Sequence, residues 1–283
     1  MKVGIIAEGG GTKAAYSAGV LKCFLDHNIE LPYCVGISAA SELLLPYASR
    51  QAERLYITGV KATCQKDAVG IRPFLKEGNI FGLQATVDFI EANAPFDWDA
   101  FKNTTTETKI GVYNMETHQA EYYGNEAMDK DFELAKASCA LLILCKPRKL
   151  FGKKYMDVGL IEMISVDQAL KDGCDKVIFI STKEEGYVRK PAPWWQLMLA
   201  NIIYHDKKIT DDLRKRHERY NEQWAKVLEL EKEGKAMVLR PHKDLGVTRY
   251  TTDEKKLGPW FQLGYDETLE RLDEIKKFCG IEE

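Results

Sequence analysis

The sequence contains no run of about 18 apolar residues, the length that a helix needs to cross a bilayer. Its seven cysteines are scattered and include no Cys-x-x-Cys pair, so we expect neither a disulfide framework nor a zinc site. Scattered cysteines of this kind are typical of a reduced cytoplasmic protein, and the short apolar run at the N-terminus does not have the pattern of a signal peptide. The net charge of −3 shows no basic excess, so no nucleic-acid partner is expected.

Histidine is also scarce, which limits the hydrolase mechanisms open to the chain. The five histidines are His27, His118, His205, His217 and His242. None of them follows an apolar strand in a turn of small residues, where a catalytic base is expected. A Ser-His-Asp triad is therefore not evident, and no metal or cofactor is expected.

The residues that are present alternate between apolar strands and helices. The predicted strands cover 2–7, 33–37, 108–113, 119–123 and 176–181. This alternation is typical of a layered α/β fold with a mostly parallel sheet. The length predicts one domain over 1–283 with a helical elaboration around 192–232. We expect a loop over 63–82 and a last helix over 268–278.

A glycine-rich turn, residues 8–13, follows the first strand. Glycines let several backbone N–H groups point at one spot, where either a phosphate or an oxyanion is stabilised. Gly9-x-Gly11-x-x-Ala14 satisfies a loose dinucleotide fingerprint, but the next strand ends in Ser38 and not in an acidic residue. The turn also lacks the Gly-Lys-Ser/Thr of a P-loop. We therefore favour an oxyanion site, with a nucleotide site as the weaker alternative.

Ser38 stands at a predicted strand-to-helix turn. Gly36 precedes it by two residues and Ala40 follows by two, so the Gly-x-Ser-x-Gly elbow pattern is matched in part. A helix N-cap is an equally good interpretation of this serine alone. The glycine-rich turn upstream shifts the balance toward a nucleophile.

Asp157 is the better candidate for the base that a serine nucleophile needs. It follows a predicted short strand and lies two residues before Gly159. Judged by position alone, a turn-forming aspartate that binds nearby backbone is the favoured alternative.

The chain resembles the patatin-like phospholipases, particularly their bacterial branch, in three segments that occur in this order: EGGGTKAAYSAGVL, GISAA and ASCALLILCKPRKLFGKKYMDVG. The resemblance implies a three-layer α/β/α fold and a Ser–Asp dyad that hydrolyses lipid acyl esters, as a phospholipase A, lysophospholipase or carboxylesterase. Ser38 matches the nucleophile and Asp157 the base. The implied oxyanion loop comprises Gly9, Gly10, Gly11, Thr12 and Lys13. We expect burial to raise the pKa of Asp157 and Lys13 to oppose that rise.

Four positions depart from the pattern that the family usually shows. Ala14, Ala40 and Val158 stand where glycine is frequent, and Leu142 stands where proline is common. The first three are expected to line the site. A catalytically impaired relative that binds lipid or a partner is therefore the alternative function.

An acyl chain requires an apolar pocket near the elbow. Ala39, Leu43 and Leu44 are the expected substrate-binding residues, with core packing as the alternative for the leucines. Trp194 and Trp195 suit a membrane interface, so we expect peripheral contact at the inner face of the membrane. The sequence does not establish whether a lid exists; segments 63–82 and 192–232 are the places to look for one.

Overall fold

The computed structural model describes residues 1–281, and eight strands within them form one sheet. The strands are β1 Val3–Ala7, β2 Tyr33–Gly36, β3 Glu107–Asn114, β4 Gln119–Tyr123, β5 Arg148–Leu150, β6 Lys153–Asp157, β7 Lys176–Ile180 and β8 Ala236–Leu239. Hydrogen-bonded neighbours follow the path β5-β6-β3-β2-β1-β7-β8, in which β6 and β2 lie along one edge of β3 and β4 pairs with its other edge. The pairs along β3-β2-β1-β7-β8 are parallel, whereas β4, β5 and β6 run antiparallel to their neighbours.

Helices connect the strands and cover the sheet. They are α1 Ala15–Asp26, α2 Ala39–Ala48, α3 Ala52–Tyr56, α4 Ile71–Glu77, α5 Leu83–Asn93, α6 Trp98–Lys102, α7 Glu133–Ser138, α8 Val166–Lys171, α9 Trp194–Tyr204, α10 Lys207–Lys232, α11 Glu254–Glu270 and α12 Leu272–Cys279. Within residues 1–281, none of the helices combines the length and the apolar character needed to cross a bilayer.

The sheet separates two apolar cores, because successive strand residues point to opposite faces. On β1, Ile5 packs with α1, α2 and α11, whereas Ile6 packs with α8 and α10. On β7, Ile178 and Phe179 divide in the same way. The result is the three-layer α/β/α arrangement with a mostly parallel sheet that the sequence predicts.

Helices α1 and α11 approach each other closely through two glycines. A Cβ atom on Gly19 would lie 2.0 Å from the carbonyl oxygen of Phe261, and one on Gly264 would lie 2.2 Å from that of Tyr16. Side chains at these positions would force the helices apart. This contact fixes α1, whose N-terminal end follows the glycine-rich turn.

Helices α4 and α11 are among those that were not predicted from the sequence. The loop expected over 63–82 contains α4, and α11 precedes the last helix expected over 268–278. Both helices contain a proline, Pro73 or Pro259, and glycines flank or interrupt them. Local propensity therefore opposed a helix in each case; packing of a buried face overcame it in α11, whereas only Pro73 of α4 is buried.

Candidate active site

Strands β2 and β6 share one edge of β3, which brings their C-terminal ends together. Ile110 of β3 pairs with Gly36 on β2, and Val112 pairs with Asp157 on β6. Strand β4 pairs with both of these β3 residues on the opposite edge. The chain leaving β2 therefore meets the end of β6, and this places Ser38 beside Asp157.

Ser38 occupies a strained backbone conformation at the start of α2. Its φ is +54° and its ψ is −142°, a region that residues other than glycine rarely adopt and that costs about 1–3 kcal/mol. The Ser38 N–H donates to Ser138 Oγ (2.9 Å), and that hydroxyl donates to the Gly111 carbonyl (2.8 Å). Ser41 Oγ donates to the Ser38 carbonyl (2.6 Å). The surrounding hydrogen bonds hold the elbow in its strained form.

Gly9 permits the glycine-rich turn to lie directly against the elbow. A Cβ atom on Gly9 would lie 2.5 Å from Ser38 Cβ and 3.1 Å from the Ile37 carbonyl oxygen. Such a contact is far inside van der Waals distance. Glycine at this position is therefore required by the close approach of the two backbones.

The turn presents backbone donors that have no partner of their own. Within residues 1–281, the N–H groups of Gly9, Gly10 and Gly11 have no hydrogen-bond acceptor. By contrast, Thr12 N donates to the Arg249 carbonyl (3.3 Å), and Lys13 N donates to the Gly10 carbonyl (3.4 Å). The three glycines also line the cavity that contains Ser38. Unpaired N–H groups beside a nucleophile can stabilise a developing oxyanion.

A buried carboxylate anchors this turn to the end of β7. Glu8 accepts hydrogen bonds from Ser181 Oγ (2.7 Å), Thr182 N (2.6 Å) and Tyr220 Oη (2.9 Å), and it is fully buried. Lys183 Nζ lies 3.7 Å from its oxygen. Glu8 thus fixes the first residue after β1, and with it the position of the glycines.

Asp157 is buried, with 5% of its surface exposed, and it lines the same cavity as Ser38. One carboxylate oxygen accepts from Gly159 N (2.7 Å), which fixes the orientation of the side chain. Burial raises the pKa of Asp157, and the neighbouring Ser38 side chain, the hydrogen bond from Gly159 N and the charges of Arg216 and Arg249 oppose that rise. A carboxylate with a raised pKa is a stronger base than a free aspartate.

Two cavities of different character meet at Ser38. The cationic cavity, with an open volume of ≈ 420 Å³, is lined by Gly9, Gly10, Gly11, Ile37, Ser38, Leu141, Asp157, Gly159, Met163, Lys183, Arg189, Arg216 and Arg249. The apolar cavity, ≈ 520 Å³, is lined by Gly11, Thr12, Ser38, Ala39, Glu42, Thr63, Ala68, Val69, Phe81, Gly82, Leu83, Thr86, Cys139 and Leu141. No histidine lines either cavity within the described residues.

A third space, the outer cavity, continues from Asp157 toward α9. Its open volume is ≈ 660 Å³, and it includes Leu142, Trp195, Gln196 and Tyr250 in its lining. Helix α9 beside it is unusually apolar for an exposed helix: Trp194, Met198, Ile202 and Ile203 are all largely exposed. The site therefore opens beside an apolar surface.

The structure brings most of the predicted site residues together. Ser38, Asp157 and the three glycines line one cavity, and Ala39 and Thr12 line the apolar cavity. Lys13 instead places its ammonium 5.2 Å from the centre of the Trp260 ring. The charged side chains that oppose the raised pKa of Asp157 include Arg216 and Arg249.

Other predicted residues lie in the core. Leu43 and Leu44 are buried against α1, because Ala39 and Glu42 occupy the face of α2 that lines the apolar cavity. The expectation that Ala14, Ala40 and Val158 line the site is wrong, since all three are buried and none lines a cavity containing Ser38. Leu142 lines the outer cavity.

Sequence reasoning missed the residues that support or surround the dyad positions. Ser138 and Glu8 hold the elbow and the turn. The cations Lys183, Arg189, Arg216 and Arg249 come from a loop after β7, from α10 and from the loop after β8. Single basic residues in charged segments carry no spacing signal, so only the fold could assemble them.

A family model described as patatin-like phospholipase matches residues 5–170, more than half of the chain. The protein therefore belongs to the patatin-like phospholipase family. A second model, described as a domain of unknown function, DUF6363, matches residues 206–280. That region supplies α10, β8, α11 and α12, so it completes the sheet and contributes two arginines to the cationic cavity.

Individual relatives are distant. The uncharacterised protein YjjU of Escherichia coli (strain K12) is 21% identical over 229 residues, which cover 75% of this chain and 64% of YjjU. VipD from Legionella pneumophila has a TM-score of 0.51 at 12% identity, over 96% of this chain and 67% of VipD. Human GIVD cytosolic phospholipase A2, solved with a fluorophosphonate inhibitor, has a TM-score of 0.50 at 11% identity, over 98% of this chain and 58% of that chain. The chain thus spans about two thirds or less of each relative, and the two solved structures share its fold.

Proposed function

We propose that this protein is a serine lipid acyl hydrolase, of phospholipase A, lysophospholipase or carboxylesterase type, that acts through Ser38 and Asp157. The proposal rests on one observation: three kinds of group line the same cavity. They are a serine in a strained elbow, a buried carboxylate and three N–H donors without partners. Membership of the patatin-like phospholipase family supports a lipid substrate.

In the first half-reaction, Ser38 Oγ attacks the carbonyl carbon of the ester while Asp157 takes the hydroxyl proton. The carbonyl oxygen becomes an oxyanion and accepts hydrogen bonds from the N–H groups of Gly9, Gly10 and Gly11. Loss of one such donor typically costs about 3–4 kcal/mol of transition-state stabilisation. When the tetrahedral intermediate collapses, the C–O bond to the alcohol breaks and Asp157 returns the proton to the leaving oxygen.

In the second half-reaction, water attacks the acyl-serine. Asp157 accepts a proton from that water, and the glycine N–H groups again stabilise the oxyanion. When this intermediate collapses, the C–O bond to Ser38 Oγ breaks, Asp157 returns its proton to that oxygen, and the fatty acid is released. Burial of Asp157 supports both steps, because the raised pKa makes its carboxylate a more effective base.

The apolar cavity is the proposed acyl site. It touches Ser38 directly and is lined mainly by apolar side chains, among them Val69, Phe81 and Leu83. An ester carbonyl held at Ser38 can place its acyl chain there, with the alcohol portion in the cationic cavity. Burial of an alkyl chain in such a cavity contributes about 0.8 kcal/mol for each buried methylene group.

The exposed apolar side chains around the site are the proposed contact with a lipid surface. Trp194, Met198 and Ile202 of α9 and Phe74 and Leu75 of α4 are exposed by 46–77%. Helix α9 contributes Trp195 and Gln196 to the outer cavity, and α4 lies between Val69 and Phe81, which line the apolar cavity. Large exposed apolar patches beside a lipid site are favoured at a bilayer interface, where tryptophan is especially stable. The expected result is that Trp194→Ala lowers activity on phospholipid vesicles relative to activity on a dissolved short-chain ester.

A fluorophosphonate probe tests the nucleophile, since it forms a covalent bond with an activated serine. We expect the wild-type protein to be labelled and Ser38→Ala to remain unlabelled. Ser165→Ala is the matched control, because Ser165 is a similarly buried serine outside the cavities that contain Ser38. Equal labelling of Ser38→Ala and wild type would exclude Ser38 as the nucleophile.

The base is tested separately with p-nitrophenyl butyrate. Asp157→Asn is expected to lower kcat by about 1,000-fold or more, by analogy with loss of a catalytic carboxylate in other serine hydrolases. Circular dichroism and urea unfolding establish that the variant is folded. A folded Asp157→Asn protein with unchanged turnover would exclude this base. A wild-type protein that neither binds the probe nor cleaves the ester would refute the enzyme proposal in favour of lipid binding alone.

A further inference from the structure

The cationic cavity carries a charge excess that ester hydrolysis itself does not require. Four basic side chains line it, Lys183, Arg189, Arg216 and Arg249, against one lining carboxylate, Asp157. A neutral ester has no group that needs several cations. Desolvated charges are costly to a fold unless an opposite charge accompanies them.

The protein supplies few anions to balance these cations. Across residues 1–281, no carboxylate oxygen lies within 4.0 Å of a side-chain nitrogen of Arg189, Arg216 or Arg249. Lys183 has Glu8 at 3.7 Å, but that carboxylate already accepts hydrogen bonds from its own anchoring residues. The three arginines are therefore available to an external anion.

Mutual repulsion accompanies this imbalance. Burial, together with repulsion from Arg189 and Arg249, lowers the pKa of Arg216 to about 9. Burial also lowers the pKa of Lys183 to about 8; Glu8 opposes this effect, whereas Lys13 and the same two arginines add to it. Both groups remain predominantly cationic at neutral pH. A bound anion would relieve this repulsion.

Contacts other than ion pairs hold two of the guanidinium groups in place. Arg189 lies 4.9 Å from the centre of the Tyr220 ring, and Arg216 Nε donates to the Gly159 carbonyl (2.5 Å). Each guanidinium keeps further N–H groups for a ligand. Such a pre-organised fork matches the oxygen geometry of a phosphate better than a lysine ammonium does.

Resting on the proposed acyl hydrolase function, we propose that the cationic cavity binds the phosphate of a glycerophospholipid or lysophospholipid during hydrolysis of its acyl ester. Ser38 lies where the apolar and cationic cavities meet. An ester carbonyl at Ser38 therefore has its acyl chain on one side and its phosphate on the other. Lys183, Arg189, Arg216 and Arg249 select phosphate-bearing lipids over neutral acylglycerols.

The test compares two lipids that differ only in the phosphate: a palmitoyl lysophosphatidic acid and the palmitoyl monoacylglycerol. Arg189→Gln is the test variant, because Arg189 is not among the charges that perturb Asp157. We expect wild type to favour the phosphate lipid in kcat/KM. The ratio between the lipids should fall about tenfold or more in Arg189→Gln, the order expected when a charge-assisted hydrogen bond is lost.

Arg240→Gln is the matched control. Arg240 also lies over an aromatic ring of α10, 5.9 Å from the centre of Trp224, but it lines neither the cationic nor the apolar cavity. The ratio between the two lipids is expected to be unchanged in this variant. An equal fall in both variants would mean that a general loss of surface charge, and not this cavity, sets the preference, and would overturn the proposal.

Binding of both lipids to Ser38→Ala, measured by calorimetry, keeps this test independent of turnover. We expect Ser38→Ala to bind the phosphate lipid more tightly than the monoacylglycerol, and the double variant Ser38→Ala/Arg189→Gln to lose this difference in affinity. That result supports the phosphate site even if no ester is cleaved. Equal affinity for the two lipids overturns it, even if fluorophosphonate labelling supports the hydrolase. Inorganic phosphate is the remaining probe: tight binding of this ion, without preference between the lipids, would assign the cavity to free phosphate and overturn the head-group assignment.

Discussion

Removal of one buried hydroxyl, in Ser138→Ala, tests whether the elbow depends on support from outside its own segment. Ser138 Oγ joins two backbone groups from different segments, one just after β2 and one within β3: it accepts from Ser38 N (2.9 Å) and donates to the Gly111 carbonyl (2.8 Å). The side chain is fully buried, so water does not replace it without rearrangement. The substitution leaves one donor and one acceptor unpaired.

The expected loss of stability follows from these two bonds. Each intramolecular hydrogen bond contributes about 1 kcal/mol net, and an unpaired buried group costs about 1–3 kcal/mol. We therefore expect Ser138→Ala to lower the free energy of unfolding by about 2–4 kcal/mol. Activity should fall as well, because the strained φ of Ser38 persists only while its surroundings hold it. Relaxation worth about 1.4 kcal/mol corresponds to a tenfold loss in kcat.

Urea unfolding measures the first effect, and the rate of fluorophosphonate labelling measures the second. Ser165→Ala separates them, since Ser165 is equally buried, accepts one hydrogen bond from Tyr122 (2.8 Å) and lines neither cavity that contains Ser38. It is expected to lose stability and to keep its labelling rate. If Ser138→Ala is destabilised but is labelled as fast as Ser165→Ala, then the hydroxyl supports the fold and not the geometry of the nucleophile.

The remaining predictions concern the turn and three ionisable groups. Gly9→Ala should lower ester turnover by about 100-fold, because its Cβ would lie 2.5 Å from that of Ser38 and displace it; turnover within twofold of wild type would contradict this. The kcat/KM for a neutral ester should rise with pH as Asp157, whose pKa burial raises, loses its proton, and a flat profile between about pH 4 and pH 8 would oppose its role as base. Burial raises the pKa of Glu42 to about 7. Its contribution to the free energy of unfolding is therefore fully present below about pH 4.3, the ordinary pKa of a glutamate, and is lost as the pH rises through 7. In Glu42→Gln, urea unfolding at a series of pH values should no longer show this fall in stability. Preference for the phosphate lipid should weaken above about pH 8 as Lys183 loses its charge, and an increase there would contradict the phosphate assignment.

The sequence predicted those parts of the site that lie in contiguous segments. The turn of residues 8–13 and the Ser38 elbow carry local signatures, because the required backbone geometry limits the residues around them. The strands were predicted for the same reason: apolar runs such as 176–181 are long enough to be recognised. Asp157 was assigned as the base through the family resemblance, since its position alone favoured a turn-forming aspartate. The structure places these segments around a common cavity.

Residues that act from elsewhere could not be predicted. Ser138 lies 100 residues from the backbone group that it supports. Its segment carries part of the family resemblance, but nothing in it assigns this serine a hydrogen bond to the elbow. The arginines of the cationic cavity stand in charged segments, where a solvated side chain is the simplest interpretation. Leu43 and Leu44 show the converse error, because an apolar residue near a nucleophile is as readily a core residue as a pocket residue.

The shared edge of β3 also has a consequence for folding. Ser38 and Asp157 come into proximity only when β2 and β6 have both paired with β3, which requires closure of a loop on the scale of the 100 residues between Ser38 and Ser138. Closing a loop of that length costs about 4 kcal/mol in chain entropy before the pairing compensates for it. Helices form much earlier and locally. During refolding, fluorophosphonate reactivity should therefore return after helical signal does, which makes the nucleophile a reporter of sheet closure.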